Sequence, residues 1–371
     1  MKAQLIFILS ITLFMSSCVQ TSDEYYDSGL EKFYLDDFTG AIADYTRAIE
    51  INPTDPKIYN NRGIAKYCRA DYSEAIVDYT KAIELNPEYS KAYGNRGLAK
   101  DKLMDFKGAI ADDTKAIELN PQDFYSYCNR GISKENSDNH KEALLDFDKA
   151  IELNPDFPIA YRERASCKMF LKNYIGAIDD CTKAIELDSS DALSYRYRGS
   201  SKNNLSDFKG AITDDSKAIE LNPKDYFTYY NRAMSKVNNN EHKEALKDYN
   251  MAIELNPEFT VAYKDRATCK MFLKNYIGAI DDYTKAIELD SSDAMCYRNR
   301  GTSKINLLDF KEAILDYNKA IEIDTLYSTA YFDRGLSKIF LGNKEGGCMD
   351  INKAIELGVP DFYKRLNKFC K

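Results

Sequence analysis

Few residues in this chain could do chemistry, and their spacing argues against a reaction centre. The 371 residues include nine cysteines, two histidines and no tryptophan. There is no Gly-x-Ser-x-Gly, no phosphate-binding glycine loop, no Cys-x-x-Cys and no Cys/His pair at a useful spacing. Cys167 and Cys269 share matching surroundings, as do His140 and His242, each pair 102 residues apart. The histidines stand where equivalent segments carry phenylalanine or tyrosine, so they read as packing between helices. The cysteines read as free core thiols. No enzyme activity, cofactor or metal is expected.

The chemistry that does recur is ion pairing. Aspartate returns every 34 residues from Asp44 to Asp350, lysine from Lys32 to Lys338 and arginine from Arg62 to Arg334. All three fall on apolar stripes, where a charge must be paired to be tolerated. A ladder of aspartates meeting arginines or lysines, within or between repeats, is therefore expected. A basic track for an anionic ligand is the alternative. Asp113 and Asp215 replace an aromatic in a core column. They demand a neighbouring lysine or arginine, or exposure through a shallow groove; as a metal pair they lack further ligands.

The elements that must position these groups follow from the period. Tyrosine recurs at 25, 59, 93 and onward to 331, always 34 residues apart. Units numbered in places 1–34 from Ser22 hold glycine or alanine at place 8, alanine at place 20 in all but Gly347, and alanine at place 27 throughout. Places 4, 7, 8 and 11 share one helical stripe, and places 20, 23, 24 and 27 another. The small residues let two helices approach closely. One such pair cannot bury its apolar face, but stacked neighbours can.

This unit resembles the tetratricopeptide repeat (TPR), with tyrosine at place 4 where that family usually has tryptophan. The resemblance covers ten units, 22–55, 56–89, 90–123, 124–157, 158–191, 192–225, 226–259, 260–293, 294–327 and 328–361. It implies an all-α, right-handed superhelical solenoid of ten helix-turn-helix repeats. Residues 362–371, with Phe362, Leu366 and Phe369 at near-helical spacing, are expected to form a C-terminal capping helix.

Residues 1–17 look like a signal peptide: Lys2, an apolar run over 5–15, then small residues. Met15-Ser16-Ser17-Cys18 resembles a bacterial lipobox, which implies lipid attachment at Cys18 and a tether over 18–21. An ordinary cleaved signal with an incidental cysteine is the alternative. The expected location is the bacterial cell envelope, lipid-anchored in a bilayer, with the outer membrane favoured and a secreted or periplasmic protein as runner-up. The net charge of −8 and the lack of a basic stretch argue against nucleic acid as a partner.

In the family the first helices line a concave groove through places 2, 5, 9, 12 and 13. The groove residues this implies are Tyr67, Lys102, Glu135, Arg162, Phe170, Arg196, Asn203, Asn204, Tyr230, Lys264, Phe272, Arg298 and Phe340. Phenylalanine beside arginine and asparagine suits a docked peptide; packing of Phe170, Phe272 and Phe340 on the neighbouring repeat is the other reading. The expected function is a membrane-anchored scaffold for an unidentified protein or peptide, with a glycan of the envelope as the alternative ligand. The Lys/Asn/Lys/Arg clamp of the chaperone-tail-binding members is not found.

Overall fold

The computed structural model describes residues 20–359 and 370. These hold twenty helices, which fall in two compact units divided after Leu187. Each unit is an all-α stack of five helix pairs. The first helix of every pair fills places 1–13, as in Phe124–Asn136, and the second runs from place 17, as in His140–Leu153. Within a unit each helix packs on the next, and first helices of successive repeats also touch, which makes one continuous face of them.

Local sequence sets the helix ends. The second helix starts at an Asp or Asn cap: Asp105 accepts from the Gly108 N–H at 3.0 Å and Asn275 from Gly278 at 3.1 Å. Asp at place 34 caps the next first helix, as Asp123 does for Tyr125 at 3.2 Å. Asn-Pro at places 31–32 ends many second helices, since proline offers no N–H to continue them. Between the paired helices, place 15 takes the left-handed conformation. Nine non-glycine residues do so, including Asp36, Ala70, Met104 and Leu308 with φ from 59 to 66°; Gly342 is the tenth.

The core is built from the small columns and one ring. Alanines at places 20 and 27 are sealed, and Tyr45, Tyr79, Phe147, Tyr249, Tyr283 and Tyr317 at place 24 are buried with them. The ring lies flat against the first helix. A Cβ added at Gly63 would come within 2.6 Å of the Tyr79 ring, and at Gly131 within 2.6 Å of Phe147. Place 8 is thus kept small by close approach rather than by a turn: glycine here, alanine at Ala233 and Ala267 opposite Tyr249 and Tyr283.

The ion-pair ladder is present, and each rung lies within one repeat. Arg130 donates from Nε to Asp146 at 2.9 Å and from Nη2 at 2.6 Å, and Lys134 reaches the same carboxylate at 2.8 Å. The same fork recurs in all nine arginine-bearing repeats. In the first repeat Ser28 takes the arginine's part, donating to Asp44 at 2.6 Å beside Lys32. The guanidinium also lies over the place-4 tyrosine, 5.6 Å from the Tyr127 centroid for Arg130. Its remaining arm joins repeats: Arg130 Nη1 donates to Thr114 at 3.2 Å and Arg266 Nη1 to Asn250 at 2.7 Å. With its donors so engaged, the arginine column is an internal brace and not a track for anions.

Two expectations about buried groups are corrected. Asp113 and Asp215 are fully buried, and neither oxygen of either meets a hydrogen-bond partner. Burial, reinforced by the adjacent Asp112 and Asp214 charges, pushes both carboxyls well above the usual range and so favours their neutral form. The ladder consumes the nearby cations, which is why neither acid gains one. The cysteines are not all free core thiols. Cys128, Cys167, Cys181, Cys269 and Cys296 are buried and outside any disulfide, but Cys68 is exposed, and Cys348 is disulfide-bonded to Cys370 with Cα atoms 5.4 Å apart. Spacing could not reveal that bond, because Cys370 lies beyond the last repeat. The leader, Cys18 and, Cys370 apart, the capping segment 362–371 lie outside the described residues.

Candidate functional site: the face of the first helices

In the first unit the first helices of repeats 1–4 enclose a groove of about 580 Å³, within the range of ligand-binding clefts. Places 2, 5, 6 and 9 line it. Tyr26, Tyr89 and Tyr125 supply rings, Ile64 and Leu98 apolar floor, and Lys57 and Lys91 positive charge. Asn60, Asn61, Asn95 and Asn129 supply amides. The amides form a chain: Asn61 donates to the Tyr26 hydroxyl at 2.8 Å, Asn60 to Asn61 at 3.2 Å, and Asn95 to Asn60 at 3.0 Å. Each side-chain amide can make four hydrogen bonds, so this chain orients them and leaves capacity for a ligand. Burial raises the Tyr26 and Tyr89 hydroxyls, which stay neutral donors.

Of the residues singled out in the sequence, none of those in the first unit lines this groove. Tyr67, Lys102 and Glu135, at places 12 and 13, lie at the ends of their helices. Tyr67 packs on Tyr72 at 5.2 Å, Lys102 is exposed, and Arg162 forks onto Glu163 at 2.6–2.9 Å.

On the second unit the same face is closed by its own pairs. Arg196 meets Asp225 and Arg298 meets Asp333, each at 2.8 Å, and Lys264 is bonded to Asp293. Tyr230 is buried and donates to Asp265 at 2.8 Å. Asn203 accepts from Asn238 at 3.2 Å, and Asn204 donates back to the Ser200 carbonyl. A smaller hollow of about 340 Å³ includes Phe272, Met271, Tyr276 and Asn299.

The three phenylalanines pack on the neighbouring repeat, one of the two readings made of them, and stay exposed. Phe170 stacks on His140 with centroids 3.7 Å apart, Phe272 on His242 at 5.2 Å and Phe340 on Phe310 at 5.1 Å, each ring belonging to the preceding repeat. All three remain 64–70% exposed.

Sequence reasoning missed two groupings. One is the set of place-6 asparagines, Asn61, Asn95 and Asn129, although asparagine at 34-residue spacing is a visible signal. In the other, Glu135, His140 and Cys167 come together, with one ligating atom from each lying within 4.8 Å of the others. They occupy places 12, 17 and 10 of two repeats, so no spacing rule could join them. Burial pushes the Glu135 carboxyl up to about 7, against the hydrogen bonds it accepts from Ser166 and the Cys167 thiol. Burial likewise raises that thiol, which is neutral here.

Comparison with known proteins places the repeat. Models of the tetratricopeptide repeat match residues 56–89, 124–157 and 226–259, and another matches 90–123; a TPR repeat model matches 29–67. Among solved structures, human IFIT1, a dimer with PPP-AAAA, is 15% identical over 91% of this chain and 83% of its own, with a TM-score of 0.53. A tetratricopeptide repeat protein from Parabacteroides merdae is 19% identical over 67% of this chain and 98% of its own, at 0.49. YrrB, described as a TPR protein with an unusual peptide-binding site, is 23% identical over 50% and 95%, at 0.42. Such identities speak to the fold alone. No curated protein matches the sequence.

Proposed function

We propose that this chain, an array of tetratricopeptide repeats, is a non-enzymatic interaction scaffold that holds an extended peptide on the first-helix face of its first unit. The observation that carries this reading is the amide chain of Asn60, Asn61 and Asn95 beside Asn129. A side-chain amide offers one donor edge and one acceptor edge, the complement of a backbone peptide group. Amides on successive repeats would grip an extended main chain without reading its side chains, while Tyr26, Tyr89 and Tyr125 take up apolar side chains. Lys57 and Lys91 outnumber the one acid of the lining, Asp123, which favours an acidic segment. The same tyrosine and amide lining would also suit sugar hydroxyls, which keeps an envelope glycan as the second reading.

Selection from a displayed peptide library on the full chain, with an Asn95→Ala/Asn129→Ala chain as counter-screen, tests the choice. Peptides retained by the wild type and lost by the variant support the proposal. Retention of polysaccharide with no peptide enriched supports the second reading.

Lipid anchoring at Cys18 and residence in the envelope belong to this proposal. They rest on the apolar run and lipobox of the leader, and the Cys348–Cys370 bond fits an oxidising compartment. No helix among the described residues is long and apolar enough to cross a membrane, so attachment would fall to the lipid. Fatty-acid labelling and membrane fractionation of wild type and Cys18→Ala test it: label and sedimentation in both, or in neither, refute anchoring at this residue.

A further inference from the structure

We propose that Glu135, His140 and Cys167 form a binding site for a divalent metal ion of the zinc class. They come from three helices of the first unit. Glu135 lies near the end of the first helix of repeat 4 (Phe124–Asn136), His140 opens the second (His140–Leu153), and Cys167 stands on the first helix of repeat 5 (Pro158–Phe170). One oxygen, one nitrogen and one sulfur converge within 4.8 Å. Thiolate, imidazole and carboxylate together are the donor set of zinc, with bonds of about 2.0–2.3 Å. Binding would draw the three donors inward from that separation onto one ion.

A second observation is independent of the clustering. His140 is 8% exposed, and neither ring nitrogen has a hydrogen-bond partner; Asp138 is 4.0 Å from Nε2. A buried imidazole with both nitrogens unsatisfied is unfavourable, and coordination through one of them relieves it. Phe170 stacks on the ring from the exposed side and fixes its plane. On binding, the Cys167 thiol proton and any proton on Glu135 pass to solvent, and the two anions balance the ion's charge. Three donors leave one tetrahedral position for water.

The molecule carries its own control. Repeats 7 and 8 repeat the arrangement as His242, Cys269 and Phe272, but Val237 stands in place of Glu135, and the Cys269 thiol donates to the His242 carbonyl at 3.2 Å. That copy has two of the three donors and is not expected to hold an ion.

The test is titration of the chelator-treated full chain with Zn²⁺ and Co²⁺, reading bound metal and the thiolate-to-cobalt charge-transfer band. The wild type is expected to bind one ion per chain and to melt at a higher temperature with zinc. Glu135→Val, which copies the residue that repeat 7 carries at this place and is checked for folding by circular dichroism, is expected to lose more than about tenfold in affinity, at least what losing a ligand's support costs. Cys167→Ser is expected to abolish the band. A folded wild type that binds no ion, or binding and band unchanged in both variants, overturns the assignment.

Discussion

The two units share every packing column and differ on the face of their first helices. In the first, Asn60, Asn61, Asn95 and Asn129 line an open groove, and the first three bond to one another with capacity left over. In the second, place 6 keeps Asn231 and Asn299, but place 5 holds Arg196, Tyr230, Lys264 and Arg298, each satisfied by an acid of its own or the next repeat. The contrast shows how a copied scaffold is specialised. The columns that hold the stack together are kept nearly fixed, whereas the exposed places are free to stay open in one unit and to neutralise themselves in the other.

If the units differ only on that face, changes to the shared columns must act alike in both. The largest effect is expected from the ladder. Asp146→Asn in the first unit and Asp316→Asn in the second each leave a half-buried arginine and lysine without their carboxylate, a loss of about 3 kcal/mol in urea unfolding. A loss confined to one unit would break the comparison.

The buried acids come next. Each unit holds one, Asp113 or Asp215, with its carboxyl pushed upward by burial. Below about pH 4 folded and unfolded carboxyls are both protonated and nothing is lost. As pH rises through the unfolded value only the unfolded chain ionises, so stability falls until the raised folded value is reached. Asp113→Asn and Asp215→Asn should therefore stabilise, with a larger gain at pH 7 than at pH 4. A gain independent of pH would mean that the carboxyls are ionised in the fold.

The smallest effect concerns the turn between paired helices. Leu308 is exposed and left-handed, where glycine, as at Gly342, is unstrained. Leu308→Gly is expected to raise stability by about 0.5 kcal/mol, and Ala70→Gly in the first unit by a similar amount, both measurable by thermal melting.

Much of the fold was legible because the period exposes it. Alanine, tyrosine and the Asp/Arg/Lys columns recur at fixed places, and the structure pairs them as their burial requires. The left-handed turns were hidden, since Ala70, Met104 and Leu308 carry no turn signature; the flanking helices impose the conformation on whatever residue stands there. The groove was only partly legible. Which of the variable places face it depends on how neighbouring first helices pack, so the sequence points to Tyr67 and Glu135 where Asn61 and Asn95 do the lining. The convergence of Glu135, His140 and Cys167 spans three helices and belongs wholly to tertiary structure.

The central claim is that the first unit's amide groove, and not the second unit's face, holds a peptide. Fluorescence-polarisation titration of a library-selected peptide tests it most directly, using wild type, Asn95→Ala/Asn129→Ala in the first unit, and Asn231→Ala/Asn299→Ala in the second. Loss of about one net hydrogen bond per amide predicts affinity weakened by roughly 30-fold in the first variant and by less than about threefold in the other. Equal binding by all three chains, or loss only with the second-unit pair, would contradict it.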